Sequence, residues 1–134
     1  MFDSCQVLIA CSDPVYCARL AEISGSLGMQ SFACDSLSDA RAQIDRQTFR
    51  VVLCADDLPD CNLRMAVRVL AAATRGIPVI VVSHLADWDA YVKALDAGAF
   101  DYIVCPPDPA EAERILRLAV GLTPPLGRAS RTAA

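Results

Sequence analysis

The chain has 134 residues, 54% of them hydrophobic and 21% charged, a size and balance that give one domain with a sizeable core. Acidic residues outnumber basic ones by 16 to 12, which argues against a nucleic-acid surface, where phosphate contact needs clustered Lys and Arg. No apolar run approaches the roughly 20 residues needed to cross a bilayer. Met1-Phe2-Asp3-Ser4 also lacks the basic-then-apolar order of a secretory signal, so the expectation is a cytoplasmic protein without membrane contact.

The first predicted element is a buried strand, Gln6 to Ala10, a short apolar run bounded by a turn signal. Asp13-Pro14 supplies an N-cap and a proline at the first helical position. The helix that follows places Tyr16, Leu20, Ile23 and Leu27 on one face and stops at Gly28. Gln30 to Cys34 reads as a weaker strand, and Ser36-Leu37-Ser38-Asp39 resembles a capping box for a helix with Leu37, Ala40 and Ile44 inward.

Arg50 to Cys54 is a continuous apolar strand, as expected where both faces of a sheet are covered. After the Leu58-Pro59 loop, Ala66, Val67, Leu70 and Ala71 mark a third helix that ends near Gly76. Pro78 to Val82 is the strongest strand, and Trp88, Tyr91, Val92 and Leu95 then recur at helical spacing before Gly98. That spacing predicts that part of each ring of Trp88 and Tyr91 is core. Asp101 to Val104 is the last strand, and Asp108-Pro109-Ala110-Glu111 opens a helix burying Ala112, Ile115, Leu116 and Ala119.

Strands alternating with helices five times over imply an α/β fold with a parallel sheet and right-handed crossovers. The domain is expected over residues 1–121, with 122–134, polar and proline-bearing, as a flexible tail or linker. The seven cysteines, at 5, 11, 17, 34, 54, 61 and 105, form no Cys-x-x-Cys pair and are odd in number. Free buried thiols fit that pattern better than a disulfide framework.

Three stretches in order carry a resemblance: Val51 to Asp60 with its Leu58-Pro59, Ile77 to Ser83, and Ala94-Leu95-Asp96-Ala97-Gly98-Ala99-Phe100-Asp101-Tyr102 followed by Pro106-x-Asp108-Pro109. Together they resemble the receiver domain of bacterial response regulators, over nearly everything from Gln6 to Val120. The resemblance implies a flavodoxin-like receiver fold, five parallel strands in the order 2-1-3-4-5 sandwiched by five helices, and a cis bond before Pro106.

In that family the first strand ends in an acidic pair that binds Mg²⁺, and an aspartate four residues before the loop proline accepts a phosphoryl group. Here the matching positions are Cys11, Ser12 and Ala55, and Cys105 stands where a lysine is expected. Ser83 matches the hydroxyl that contacts the phosphoryl group and Tyr102 the aromatic switch residue; both are retained. A methyl group cannot attack phosphorus, and thiols are poor ligands for Mg²⁺. Removing nucleophile, metal ligands and cation together leaves no phosphoryl-transfer mechanism at these positions.

The expectation is therefore a degenerate receiver. It is not an enzyme, holds no metal or cofactor, and signals through a protein partner without phosphorylation. A homodimer through the face of the fourth helix, fifth strand and fifth helix is the second form of contact expected, with Tyr102, Trp88 and Tyr91 as its candidate residues. Two alternatives remain open. One is a thiol-based redox or ligand sensor using Cys11 and Cys105, against which those cysteines are simply small pocket-filling side chains. The other is phosphorylation at a displaced acid, Asp56 or Asp57, whose blander reading is a pair of solvated loop acids. His84, the single histidine, reads as a loop residue. A small α/β enzyme or flavin carrier is disfavoured because Ala10 to Pro14 lacks a glycine-rich phosphate cradle.

Overall fold

Capping chemistry sets where each helix of this chain begins, and the strands fill the intervals between helices. The structure, a computed structural model, describes residues 5–122. Its elements run β1 (Gln6–Ala10), α1 (Pro14–Ser26), β2 (Gln30–Cys34), α2 (Leu37–Arg46), β3 (Val51–Ala55), α3 (Leu63–Thr74), β4 (Val79–Ser83), α4 (Trp88–Ala97), β5 (Asp101–Val104) and α5 (Pro109–Leu122). The Asp13 carboxylate accepts from Val15 N–H, Ser36 Oγ from Asp39 N–H, Asn62 from Met65 N–H and Asp87 from Ala90 N–H. Each bond satisfies a first-turn N–H that has no partner within its own helix. The part of the expected tail beyond Leu122 lies outside the described residues.

All four strand pairings are parallel and the sheet order is β2-β1-β3-β4-β5, the order the receiver resemblance implies. β3 and β4 each sit one residue later than their apolar runs suggest. Pro78 has no N–H to give and contributes only its carbonyl, to Val52 N–H, while pairing continues at the other end to Ala55 opposite Val82. The Cys105–Pro106 bond is cis. Gly98 ends α4 at φ 116, a left-handed backbone that strains any side chain.

Strand side chains alternate between two cores. Val7, Ile9, Val51, Leu53, Ile80 and Ile103 pack toward α1 and α5, against Leu20, Ile23, Ile115 and Leu116. Leu8, Ala10, Val52 and Cys54 face the opposite way, toward Leu37, Ala40, Ala66 and Leu70 of α2 and α3. A third cluster joins Val67 and Val81 to Ala94, Ala97 and Tyr102.

The stripe expected on α4 divides. Trp88 is 75% exposed and Val92 is exposed too, whereas the fully inward positions are Ala94 and Ala97, with Tyr91 and Leu95 half-buried. Trp88 is the first residue of the helix, directly after its cap, and its ring meets Tyr91 at 5.3 Å while remaining open to solvent. The expectation that part of the Trp88 ring is core is corrected accordingly.

Candidate functional site

Because every strand is parallel, all the strand-to-helix loops after β1, β3, β4 and β5 open at one edge, where ligands bind in this architecture. Cys11, directly after β1, Ala55, the last residue of β3, and Cys105, just after β5, all belong to the apolar core on the α1 and α5 side, each less than a tenth exposed. Ser12 is exposed and contributes its backbone N–H. Ser83 is buried at the end of β4 and belongs to a hydrogen-bond network beside that core.

The loop after β3 carries three aspartates that diverge toward three neighbouring loops. Asp57 accepts the N–H of Ser12 (3.0 Å) and of Asp13 (3.1 Å), one on each carboxylate oxygen, and so ties down the β1–α1 loop. Asp60 accepts the N–H of Leu37 (2.9 Å) and of Ser38 (3.0 Å) at the start of α2. Those two bonds hold its carboxyl below the usual carboxylate range. Asp56 turns to the β4–α4 loop, where one oxygen accepts the Ser83 hydroxyl (2.7 Å) and the His84 N–H (3.3 Å). Its other oxygen pairs with His84 Nδ1 at 3.3 Å.

Asp56 and Asp57 are therefore not the solvated loop acids of the blander sequence reading; both are half-buried and both carboxylates are engaged. His84 is likewise more than a loop residue, since its ring also sits edge-on to Tyr16 of α1 at 5.0 Å. The spacing Asp56-Asp57-x-x-Asp60 was the available signal: acids in one loop at the sheet edge face the positive N-terminal ends of neighbouring helices.

A chain of aromatic rings starts from the same network. The Ser83 hydroxyl oxygen accepts Leu85 N–H (3.0 Å), and the Leu85 carbonyl accepts the Tyr102 hydroxyl (2.7 Å). Tyr102, 8% exposed, meets Tyr91 in a T-shaped contact at 5.9 Å, and Tyr91 meets Trp88 at 5.3 Å. Of the three aromatic residues singled out from sequence, one is thus inward, one half-buried and one open to solvent, in mutual contact.

All seven cysteines are free thiols. Burial pushes each thiol up from its ordinary value, with Cys11 raised to about 12 and Cys105 to about 11, the latter with a further contribution from Asp56, Asp57 and Asp13. A thiol in that state is mostly protonated and a poor nucleophile, which weighs against the sensor alternative. Among the described residues, no three His, Cys, Asp or Glu side chains converge in a way that holds a metal ion. No helix there is long and apolar enough to cross a membrane.

The family model described as the response regulator receiver domain matches residues 7–117. The transcriptional regulatory protein ZraR of Salmonella typhimurium is 26% identical over 117 residues, which is 87% of this chain and 26% of that protein. ZraR of Escherichia coli K12 is 26% identical over 106 residues. The chain thus spans about a quarter of the length of these curated relatives. Among solved structures, a CheY-like receiver domain protein of Methanospirillum hungatei superposes with a TM-score of 0.79 at 21% identity, covering 87% of this chain and 94% of the other. The receiver domain of a Pseudomonas aeruginosa sensor histidine kinase, solved with magnesium coordinated in its active-site cleft, gives 0.77 at 26% identity, covering 87% and 97%. Ordered motifs, strand order and the matched family model agree: this chain belongs to the response regulator receiver domain family.

Proposed function

We propose that this receiver domain acts in two-component signalling through protein–protein contact that does not depend on phosphorylation. The observation that carries the reading is that Cys11, Ala55 and Cys105 are all buried in the apolar core, small neutral side chains at the positions the family resemblance matches to metal ligand, acceptor and cation. The two nearby acids offer no substitute. Both oxygens of Asp57 hold backbone N–H groups and both oxygens of Asp56 hold Ser83 and His84, so neither carboxylate is poised for in-line attack.

Mg²⁺ does not fit the donor set. Asp13 is occupied as the cap of α1, Asp57 by two N–H groups, and the Cys11 thiol is soft and protonated, whereas Mg²⁺ requires several hard oxygens in near-octahedral geometry. The domain is accordingly a binding module rather than an enzyme. Free thiols throughout support a reducing, cytoplasmic setting. The exposed Leu85, Trp88 and Val104 mark the α4–β5–α5 side as the contact face, for a partner or a second copy.

The test is an amide NMR titration with Mg²⁺ and beryllofluoride. No clustered shifts are expected; shifts centred on Ala55, Ser83 and Tyr102 would overturn the proposal. Solution mass and pull-down with Trp88→Ala then test the contact face.

A further inference from the structure

We infer that Asp56 is a positioning residue that fixes the aromatic surface of α4, a fixed internal anion coupled through contiguous contacts to Trp88. This deepens the proposed function and rests on that reading of the pocket as one that receives no phosphoryl group. The chain of contacts has a direction. Ser83 has one hydroxyl proton, and at 2.7 Å from Asp56 Oδ2 that proton goes to the carboxylate. The lone pairs of Ser83 Oγ are thereby turned to Leu85 N–H. Leu85 is held by its N–H on one side, and its carbonyl on the other receives the Tyr102 hydroxyl at 2.7 Å.

Tyr102 is buried, so its ring position is set by that bond and by packing against Val81 and Ala94. Tyr91 stands edge-on to Tyr102, and Trp88, 75% exposed, rests against Tyr91. A second hold on the same loop comes from His84, whose N–H and Nδ1 both meet Asp56 while its ring contacts Tyr16. Charge strengthens each step, because a hydrogen bond to an ionised acceptor is shorter and stronger than a neutral one and polarises the next. With the carboxylate carried by the residue directly after Ala55, the last core position of β3, the β4–α4 loop is held from within and the aromatic face is displayed continuously.

The experiment compares amide and indole NMR spectra of wild type, Asp56→Ala, Asp56→Asn, Ser83→Ala and Asp57→Ala. Trp88 is the only tryptophan, so its indole N–H is a single resolved reporter. Asp56→Ala and Ser83→Ala are expected to shift Leu85, Tyr91, Tyr102 and the Trp88 indole. Asp56→Asn keeps an acceptor for Ser83 but loses the charge, and is expected to move the indole in the same direction as Asp56→Ala by a smaller amount. Asp57→Ala, acting on the β1–α1 loop, is expected to shift Ser12 and Asp13 without moving the indole. Shifts from Asp56→Ala that stop at Ser83 and His84 would overturn the inference. Should Asp56→Ala fail to fold, an unmoved indole in folded Ser83→Ala overturns it equally. Beryllofluoride added to wild type tests the parent reading separately, since a response there refutes phosphorylation independence whatever the Asp56 variants do.

Discussion

Replacing Asp57 with alanine tests whether the acids after β3 are structural. The substitution leaves two backbone N–H groups, those of Ser12 and Asp13, without their carboxylate. The Ser12 contact is exposed, so water replaces it at small cost, while the Asp13 contact is half-buried. A bond to a charged acceptor contributes about 1.5–3 kcal/mol, so the Asp13 bond alone accounts for about 2 kcal/mol. A carboxylate beside the N-terminal end of α1 adds about 0.3–1 kcal/mol through the helix dipole. Asp57→Ala is therefore expected to cost about 2–3 kcal/mol, which in a domain of this size lowers Tm by about 8–12 °C. Asp57→Asn, which keeps one acceptor and loses the charge, is expected to fall between the two. Thermal melts and urea titrations followed by circular dichroism, with m-values checked for constancy, measure both. A loss from Asp57→Ala of less than about 0.5 kcal/mol, the range of a neutral surface change, would refute the tether.

The other expectations concern charge, thiols and core. Asp60 is held below its ordinary 3.8, so it contributes stability that is complete above that value and disappears as pH falls through the lower folded value. The stability difference between wild type and Asp60→Ala should be flat near neutrality and vanish in acid; a difference that grows on acidification contradicts the assignment. Native protein at neutral pH should react slowly with a disulfide reagent and release seven equivalents only after unfolding. One thiol titrating within seconds would revive the sensor reading. Leu53, fully buried in the central strand β3, should cost about 2–5 kcal/mol as Leu53→Ala in urea titration, and a loss under about 1 kcal/mol would misplace the core.

The framework was legible because its signals are local. Asp13-Pro14, Ser36 and Asp108 start helices by short-range hydrogen bonds, and apolar runs such as Val79 to Val82 have no other soluble home than a covered sheet. Cys11, Ala55 and Cys105 were singled out by position in an ordered set of motifs, and all three lie within the apolar core on the α1 and α5 side. What the sequence hid was direction. Asp56 and Asp57 are adjacent, yet one bonds Ser83 and the other Ser12, because the strand ends at Ala55 and the chain turns through both acids. Trp88 shares a helical stripe with Leu95, but its place at the first turn puts it beyond the edge of the core. Periodicity reports which side of a helix faces inward and carries no information on how far the neighbouring layer extends.

The divergence of Asp56, Asp57 and Asp60 from one short loop also makes the pocket hard to convert. Ala55→Asp, which places a carboxylate at the position the resemblance matches to the acceptor, puts it at a site only 3% exposed. Its neighbours would be two half-buried acids already committed to other loops, with a thiol in place of a cation. An uncompensated buried charge of that kind costs several kcal/mol, about a third or more of a typical domain's stability. Under the proposed reading, a carboxylate cannot return to residue 55 as a first step without passing through a chain less able to fold.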